Sequence, residues 1–262
     1  MKRPFLVNLG LLSCLFLLTL LSGCCVNIGD VFKTKYERTE NVSAPVEGAD
    51  ELYVETDVGS ITITGADVTD CNITAEITVK AYTKEKAREL AEQVRVEPIR
   101  SGDRLTIKAR KPDGLKSRSL SVAFKITAPK HLNLNCSAHV GTVKVSDIQG
   151  RIKASVNVGS IFCSQVAEDL NLTSNVGSIE VKYSDAAPAA CNADITTNVG
   201  SIEFTGPPQL SAQLSATTNV GSVKTAKPVT VVGKLGRSIK GTIGSGDGKI
   251  SLRTNVGSIE IK

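Results

Sequence analysis

The sequence predicts an all-β fold, a single-chain β-solenoid with one short amphipathic helix near its N-terminal end. Near copies of one motif, written NVGSIE at 175–180, recur along the chain. Apolar and polar residues alternate on both sides of each copy, which is the pattern of β-strands. Counted from the Asn position, copies begin at 139, 157, 175, 198, 219, 242 and 255, after a looser copy at 57. Repeats about 20 residues apart are typical of stacked coils, and we expect a right-handed β-helix.

The bend of each coil is predicted at the glycine of the motif. Leu170, Leu172 and Val176 share one parity, whereas Ile179 and Val181 share the other. A single corner across the intervening Gly-Ser pair would turn both halves towards one interior, because glycine accepts positive φ and asparagine tolerates such turns. The predicted turn residues are Asn157 and Gly159, Asn175 and Gly177, Asn198 and Gly200, Asn219 and Gly221, and Asn255 and Gly257.

Stacking in register would place these asparagines in one column, where their side-chain amides form a ladder. Repeated Val and Ile residues would line the interior beside it. Calcium-binding repeats carry an acidic residue in every copy, whereas here only three copies are followed by one, at Glu180, Glu203 and Glu260. We therefore interpret the motif as a structural corner and predict neither a metal nor a cofactor.

Residues 1–23 are predicted to be a secretory signal of the lipoprotein type. Lys2 and Arg3 precede an apolar stretch, and LSGC at 21–24 resembles the lipobox of bacterial lipoproteins. That resemblance implies cleavage before Cys24, lipidation of Cys24 and stable membrane attachment through more than one acyl chain. The alternative is an uncleaved anchor, because about 18 apolar residues just span a bilayer. Both interpretations place the remaining chain outside the cytoplasm, and Cys25 after the anchor favours an outer membrane or the cell surface.

Three segments are expected after the signal. Residues 24–50 lack a period and are predicted to be the lipid anchor and a flexible tether. Residues 51–130 form a β section with one helix at about 84–95, for which Thr83 is the expected N-cap. Residues 131–262 form the solenoid of NVGSI repeats. Since solenoid ends need covering, the helix is the expected N-terminal cap, and we expect the uncovered C-terminal edge to bind a second copy or a partner.

A cluster of cations is predicted in the strands and loop of the β section. One interpretation is an ordinary solvated strand face, and the alternative is a patch that attracts anionic lipid head groups or envelope polymers. Its members are Arg104, Lys108, Arg110, Lys111, Lys116 and Arg118.

Four cysteines, Cys71, Cys136, Cys163 and Cys191, lie at apolar strand positions. There they are expected to behave as small buried hydrophobes. Because export permits disulfides, a Cys136–Cys163 or a Cys163–Cys191 bridge remains the alternative.

Composition excludes several functions. The formal charge of +5 falls by two when Lys2 and Arg3 are removed, and so small an excess does not indicate nucleic-acid binding. With no Trp, six Phe and four Tyr, little surface is available for stacking on bases or sugars. His131 and His139 are the only histidines, and the sequence contains no hydrolase, zinc-protease or P-loop motif. No catalytic residue is predicted, and the irregular placement of the three glutamates argues against the carboxylate column of a glycan-cleaving solenoid.

The chain resembles a family of bacterial exported proteins with β-strand repeats, which are described as proposed adhesins of otherwise unknown function. The segments that carry the resemblance are VETDVGSITITG, VKAYTKEKARELAEQVRVEP, GDRLTIKA and the serial NVGSIEV units, so it covers about residues 50–262. It implies a β-solenoid-like fold and a cell-envelope location, with no established activity. We therefore expect a non-catalytic envelope lipoprotein that serves adhesion or scaffolding. The alternative is a sensory or regulatory lipoprotein with a protein partner.

Overall fold

The computed structural model describes residues 34–113, 115, 119–231 and 236–262. The predicted signal, Cys24, Lys116 and Arg118 lie outside these residues. Strands β1 to β7 are Thr34–Pro45, Glu51–Val58, Ile61–Ala66, Asp70–Ala81, Arg95–Ser101, Arg104–Arg110 and Leu120–Pro129. Helix α1 is Lys84–Gln93. Strands β8 to β14 are Asn133–Val140, Val143–Ser146, Ile152–Val158, Ile161–Val166, Leu170–Val176, Ile179–Tyr183 and Asn192–Val199. Strands β15 to β21 are Ile202–Thr205, Ala212–Val220, Val223–Thr225, Thr230–Val231, Ser238–Ile243, Gly248–Val256 and Ile259–Ile261.

The described strands form two long sheets, and the predicted β-solenoid is confirmed. Sheet 1 has the order β1-β4-β7-β3-β9-β11-β13-β15-β21-β17, and sheet 2 has the order β18-β19-β16-β20-β14-β12-β10-β8-β2-β6-β5. Each coil contributes one strand to each sheet, and neighbouring coils pair in parallel. Alternate side chains of both sheets fill a continuous aliphatic core. The handedness of the coil stays a prediction.

The order of the coils in space differs from their order in sequence at both ends. Coil β6–β7 stacks outside β2–β3, so the first copy of the motif lies within the stack. Coil β20–β21, the last in sequence, lies between β14–β15 and β16–β17. The expectation that the C-terminal strand is an uncovered edge is therefore wrong.

Antiparallel strands flank the parallel stack in both sheets at one end and in sheet 2 at the other, where sheet 1 ends in the parallel strand β17. At one end β4 pairs with β7 and β5 with β6, and at the other β19 pairs with β16 and β18 with β19. The outermost strands at the second end are short, with three residues in β17 and two in β18. Short edge strands offer little template for pairing with another chain, so the predicted oligomer through the C-terminal edge loses its structural basis.

Residues 34–45 form an edge strand, and the prediction of a flexible tether is wrong for them. Strand β1 pairs antiparallel with β4 along its whole length. Its inward row includes Arg38 and Glu40, which form an ion pair at 2.9 Å, and the Arg38 Nε donates to the Ala91 carbonyl at 2.8 Å. Because these inward positions are polar, β1 lacks the hydrophobic alternation by which strands are recognised.

Helix α1 lies on β1 and β4, at the first end of the stack. The Thr83 hydroxyl accepts a hydrogen bond from the Lys86 amide at 3.2 Å, as an N-cap should. Ala87 and Ala91 are buried against the sheet. The helix ends at Gln93, two residues before the predicted end, because the chain continues into β5 from Arg95.

A serine anchors the turn between β19 and β20. The predicted degenerate copy of the motif at 242–246 falls in this turn and is not a corner between the sheets. The Ser211 Oγ accepts hydrogen bonds from the amides of Ser245, Gly246 and Asp247 at 3.0, 3.0 and 3.3 Å, and donates to the Asp247 carboxylate at 2.7 Å. The turn thereby passes the start of β16 and leads into coil β20–β21, which we call the inserted coil because it lies between β14–β15 and β16–β17.

Candidate binding groove

The glycines of the motif form one column along the stack. Gly177 has a φ of +150°, and a Cβ placed on it would lie 1.9 Å from the carbonyl oxygen of Gly159. Equivalent contacts link each motif glycine to the next coil, in the order Gly59, Gly141, Gly159, Gly177, Gly200, Gly257 and Gly221. Only glycine fits these positions, because both the positive φ and the close backbone approach exclude a side chain.

The motif asparagines form a ladder along the same corner. Asn175 donates to Asn157 at 3.2 Å, Asn198 to Asn175 at 3.3 Å, Asn255 to Asn198 at 2.5 Å, and Asn219 to Asn255 at 3.0 Å. A parallel row joins serines: the amides of Ser178, Ser201 and Ser258 each donate to the serine hydroxyl of the preceding coil at 3.2 to 3.3 Å. These contacts connect the coils themselves, and the structure gives the asparagines a stacking role.

The valine of the motif points outward, contrary to the predicted interior column. Val176 is 43% exposed, whereas Ile179 is buried. The bend begins at Asn175 and Val176, which both face outward, rather than at the Gly-Ser pair. The six valines of the later copies are 40% to 58% exposed and form a ridge along the corner: Val140, Val158, Val176, Val199, Val256 and Val220.

Most of the predicted basic patch is neutralised where the structure describes it. Arg104 contacts Glu51 at 2.9 Å, Lys111 contacts Asp57 at 3.0 Å, and Arg110 lies 3.9 Å from Glu97. Lys108 is exposed on the same strand, β6. The described members of the cluster therefore belong to a mixed-charge surface, since three of them face carboxylates.

The three glutamates that follow the motif are aligned, and the expectation that they are not is wrong. Glu180 pairs in register with Glu203, and Glu203 with Glu260, on the outer face of sheet 1. The insertion of β20–β21 beside β15 adds Glu260 to this column, which the spacing along the chain does not indicate. Lys262 Nζ lies 2.5 Å from Glu203 and 3.8 Å from Glu260. This lysine offsets part of the repulsion between adjacent carboxylates.

The four cysteines of the described residues are buried free thiols, so neither alternative bridge is formed. Burial raises the pKa of Cys71 and of Cys136 to about 12 and that of Cys191 to about 11. Within the described part of the chain, no three His, Cys, Asp or Glu residues form a group that could hold a metal ion.

An open groove of about 870 Å³ lies on the outer face of sheet 2 and was not predicted from the sequence. It crosses β2, β8, β10, β12, β14 and β20, so at about 4.8 Å per strand it is roughly 24 Å long. A second hollow of about 600 Å³, lined by hydroxyls and the asparagine ladder, continues on the same face and shares Arg253.

Side-chain amides and charged groups line the groove. Asn135 donates to Glu51 at 3.1 Å, and the Asp169 carboxylate accepts from both the backbone and the side-chain amide of Asn192 at 3.2 and 3.1 Å. Arg253 contacts Asp194 at 3.3 Å. The charged lining residues are Asp50, Glu51, Asp103, Arg151, Lys153, Asp169, Asp194, Lys249 and Arg253. The five acidic and four basic groups nearly balance, so the groove has no dominant sign.

Residues 39–262 match the family named Toastrack DUF4097. The chain belongs to this family. Its fold agrees with that of a proposed cell adhesion protein from Clostridium sporogenes, which is 14% identical with a TM-score of 0.51, over 87% of this Toastrack chain and 99% of that chain. A proposed adhesin from Bacteroides fragilis is also 14% identical, with a TM-score of 0.35 over 86% and 97%.

A proposed lipid-binding protein from Parabacteroides distasonis is 15% identical to this Toastrack chain, with a TM-score of 0.29 over 86% and 96%. No curated protein matches the chain. Among the described residues, no helix has the length and apolar character needed to cross a bilayer.

Proposed function

We propose that this Toastrack protein is an exported, non-catalytic lipoprotein that binds an envelope polymer and so serves adhesion or scaffolding. The observation that carries the proposal is the long polar groove on sheet 2, which is open along six strands. An extended groove of this shape suits a chain-like ligand better than a small substrate, which is generally bound with most of its surface buried.

The anchoring part of the proposal depends on the N-terminal segment. The lipobox-like LSGC at 21–24 would place a lipidated Cys24 at the membrane, with nine residues between Cys24 and the first strand at Thr34. Two acyl chains are sufficient for stable attachment, whereas one is marginal. Fractionation of cells that express the wild-type protein and Cys24→Ala tests this step: the wild type should sediment with membranes and incorporate labelled palmitate, and the variant should do neither. Equal palmitate incorporation by both would contradict lipidation at Cys24.

The adhesion part rests on the fold and on the name of one similar structure. The Clostridium sporogenes protein is described as a proposed cell adhesion protein, and a rigid stack with exposed polar rows suits that role. The binding test is co-sedimentation of the purified protein with isolated envelope polymers. Retention without change in polymer length supports a binding protein, and failure to bind any envelope polymer contradicts the proposal.

The aligned glutamates define the competing enzymatic function. Glycosidases use two carboxyl groups that flank the scissile bond, and Glu203 and Glu260 are adjacent on sheet 1. Lys262 contacts both of them. Glu180 and Glu260 are exposed and Glu203 is half-buried, on a face other than that of the groove. Release of reducing ends from a glycan, abolished by Glu203→Gln, would replace the non-catalytic proposal with an enzymatic one.

A further inference from the structure

Two sets of charged side chains in the groove of sheet 2 are left without ionic partners. Among the described residues, Arg151 and Lys153 of the β10 coil form no ion pair, although both are exposed in the groove. At the groove's first end, the Asp50 and Asp103 carboxylates likewise have no cation within ion-pair distance in that part of the chain. The Asp103 carbonyl holds the Asp50 amide at 2.8 Å, so the two acids stay side by side.

The spacing between these sets is fixed by the sheet. Strand β2 pairs with β8, and β8 pairs with β10, so two strand spacings separate Asp50 from the cations. Asp103 precedes β6, which pairs with the other side of β2, and is one spacing further away. At about 4.8 Å per spacing the distances are roughly 10 Å from Asp50 and roughly 14 Å from Asp103. The asparagines of β8, Asn133 and Asn135, lie between the two sets. A ligand that satisfies all of them must carry a basic group and an acidic group about 10 to 14 Å apart, with hydrogen-bonding groups between.

A buried hydroxyl at the other end of the groove also lacks a partner. Ser251 is 5% exposed and lines the groove, and its Oγ has no hydrogen-bond partner among the described residues. A buried polar atom without a partner costs about 1–3 kcal/mol. Ser251 is in register with Asp194, so a ligand group seated there would satisfy the hydroxyl beside the Arg253–Asp194 pair.

We propose that the groove binds an extended amide-bearing glycan that carries both carboxylate and ammonium groups, the chemistry of a peptide-substituted cell-wall polymer. This assignment rests on the proposed function, since it names the class of envelope polymer. Charge-assisted hydrogen bonds from Arg151 and Lys153 hold a ligand carboxylate. Asp50 and Asp103 hold an ammonium group, and the asparagine amides pair with the ligand's amides. No Phe, Tyr or Trp is among the described residues that line the groove, and His131 is its one ring-bearing side chain, so recognition relies on polar contacts rather than on a stacking platform.

The test is co-sedimentation of the purified protein with insoluble peptidoglycan, with cellulose as the uncharged polymer and polygalacturonate gel as the polyanion. The wild type should bind peptidoglycan and not cellulose. The double variant Arg151→Ala with Lys153→Ala should bind at least tenfold more weakly. The matched control, Lys182→Ala with Lys224→Ala, removes the same charge from the outer face of sheet 1 and should bind like the wild type. Circular dichroism and the midpoint of thermal unfolding verify that each variant is folded.

The acidic end distinguishes this ligand from a simple polyanion. Asp50→Asn with Asp103→Asn should weaken binding to peptidoglycan severalfold, because the ammonium partner is lost. Tighter binding by that variant, or a preference of the wild type for polygalacturonate, would overturn the proposal. Ser251→Ala should lower affinity severalfold without lowering the unfolding midpoint, because it removes a buried hydroxyl that has no partner in the free protein.

The outcomes also separate the two proposals. If the wild type binds none of the envelope polymers, the proposed function itself fails. If it binds peptidoglycan and the Arg151 and Lys153 double variant binds equally well, the protein is a polymer binder that uses another surface. Retention of the wild type by cellulose as well would show binding that needs neither charge nor amide, and would also overturn the inference.

Discussion

Asn255 donates a hydrogen bond to Asn198 at 2.5 Å and accepts one from Asn219 at 3.0 Å. The last copy of the motif in sequence thus lies between two earlier copies in the stack. Its two strands pair on both sides, with β14 and β16 in sheet 2 and with β15 and β17 in sheet 1. The C-terminal coil is therefore part of the interior of the stack, and its loss would separate β16–β17 from the rest.

Asn255→Ala should destabilise the protein more than Asn157→Ala. Asn255 takes part in two ladder hydrogen bonds, whereas Asn157 accepts one, from Asn175. A net contribution of about 0.5–1.5 kcal/mol per hydrogen bond, reduced by solvent exposure, predicts roughly twofold different losses in the free energy of unfolding. Urea denaturation followed by circular dichroism measures both. Equal losses would show that the amide ladder does not hold the inserted coil in place.

Gly177→Ala should be severely destabilising. Its Cβ would meet the Gly159 carbonyl oxygen at 1.9 Å, so the backbone of two coils would have to move. We expect a loss of at least about 3 kcal/mol in the free energy of unfolding, which belongs to the severe class of point mutations.

The matched control is Gly102→Ala, where φ is also positive at +61° but no atom lies within 4 Å. That control should cost only the backbone strain of about 1–2 kcal/mol, as measured by urea denaturation, and a similar cost at both sites would contradict the close-approach explanation.

A buried hydroxyl before the asparagine bonds to the glycine carbonyl of the neighbouring coil. The Thr197 Oγ1 donates to Gly177 at 2.8 Å, and Ser174 makes the same contact with Gly159 at 3.0 Å. Thr197→Val should therefore cost about 1–2 kcal/mol, because the carbonyl loses its donor. Val156 occupies the equivalent position one coil earlier, in register with Ser174.

The reverse change at that position should be tolerated. Val156→Thr should be neutral or stabilising, because its hydroxyl would face the Gly141 carbonyl. Val181→Thr, deep between the sheets, provides the comparison and should cost about 1–3 kcal/mol for an unpaired buried hydroxyl. Thermal unfolding of the three variants checks the ranking. If Val156→Thr is as harmful as Val181→Thr, the hydroxyl does not act through the glycine carbonyl.

Ser211→Ala should destabilise the inserted coil. Three backbone amides of the β19–β20 turn and the Asp247 carboxylate would lose their common partner. Because Ser211 is buried at 7% exposure, we expect a loss of about 2–4 kcal/mol. Hydrogen exchange should show faster exchange in β20 and β21 than in β10. The control Ser215→Ala, on the adjoining strand β16, should leave that exchange unchanged. Unchanged exchange in Ser211→Ala as well would contradict the anchoring role.

Local pattern predicted the solenoid, its asparagine column and its helix because each depends on residues close in sequence. The order of the coils in space could not be predicted in this way, because it depends on pairing between residues that are distant in sequence. Val199 pairs with Val256, and Val256 with Val220; since all copies present the same residues to their neighbours, nothing in the periodicity distinguishes this order from the sequential one. The aligned glutamates were missed for the same reason.

The edge strand and the groove were missed for other reasons. The inward Arg38 and Glu40 of β1 conceal a strand. Arg38 is held by the carbonyl of Ala91, which is distant in sequence, and Glu40 is held by its ion pair with Arg38. The groove is lined by outward positions such as Asn135, Lys153 and Asp194 that look like ordinary solvated residues. Their proximity follows only from the register between coils.

The buried thiols should make the protein less stable as pH rises above about 9. Burial raises the pKa of Cys136 to about 12 from its ordinary value of 9.0, and it raises those of Cys71 and Cys191 as well. Between pH 9 and 11 the unfolded chain loses these protons while the folded chain keeps them, so the free energy of unfolding falls by up to about 1.4 kcal/mol per pH unit for each thiol. The stabilising difference is fully present below pH 9, and the fall should end as the folded thiols ionise near pH 11 to 12.

Urea denaturation of the wild type and of Cys71→Ala with Cys136→Ala at pH 7, 9 and 10.5 measures the slope of this fall. The variant should be less stable at pH 7 because of the cavities it creates, but its decline with pH should be shallower, and parallel declines would show that the thiols do not titrate as their burial requires.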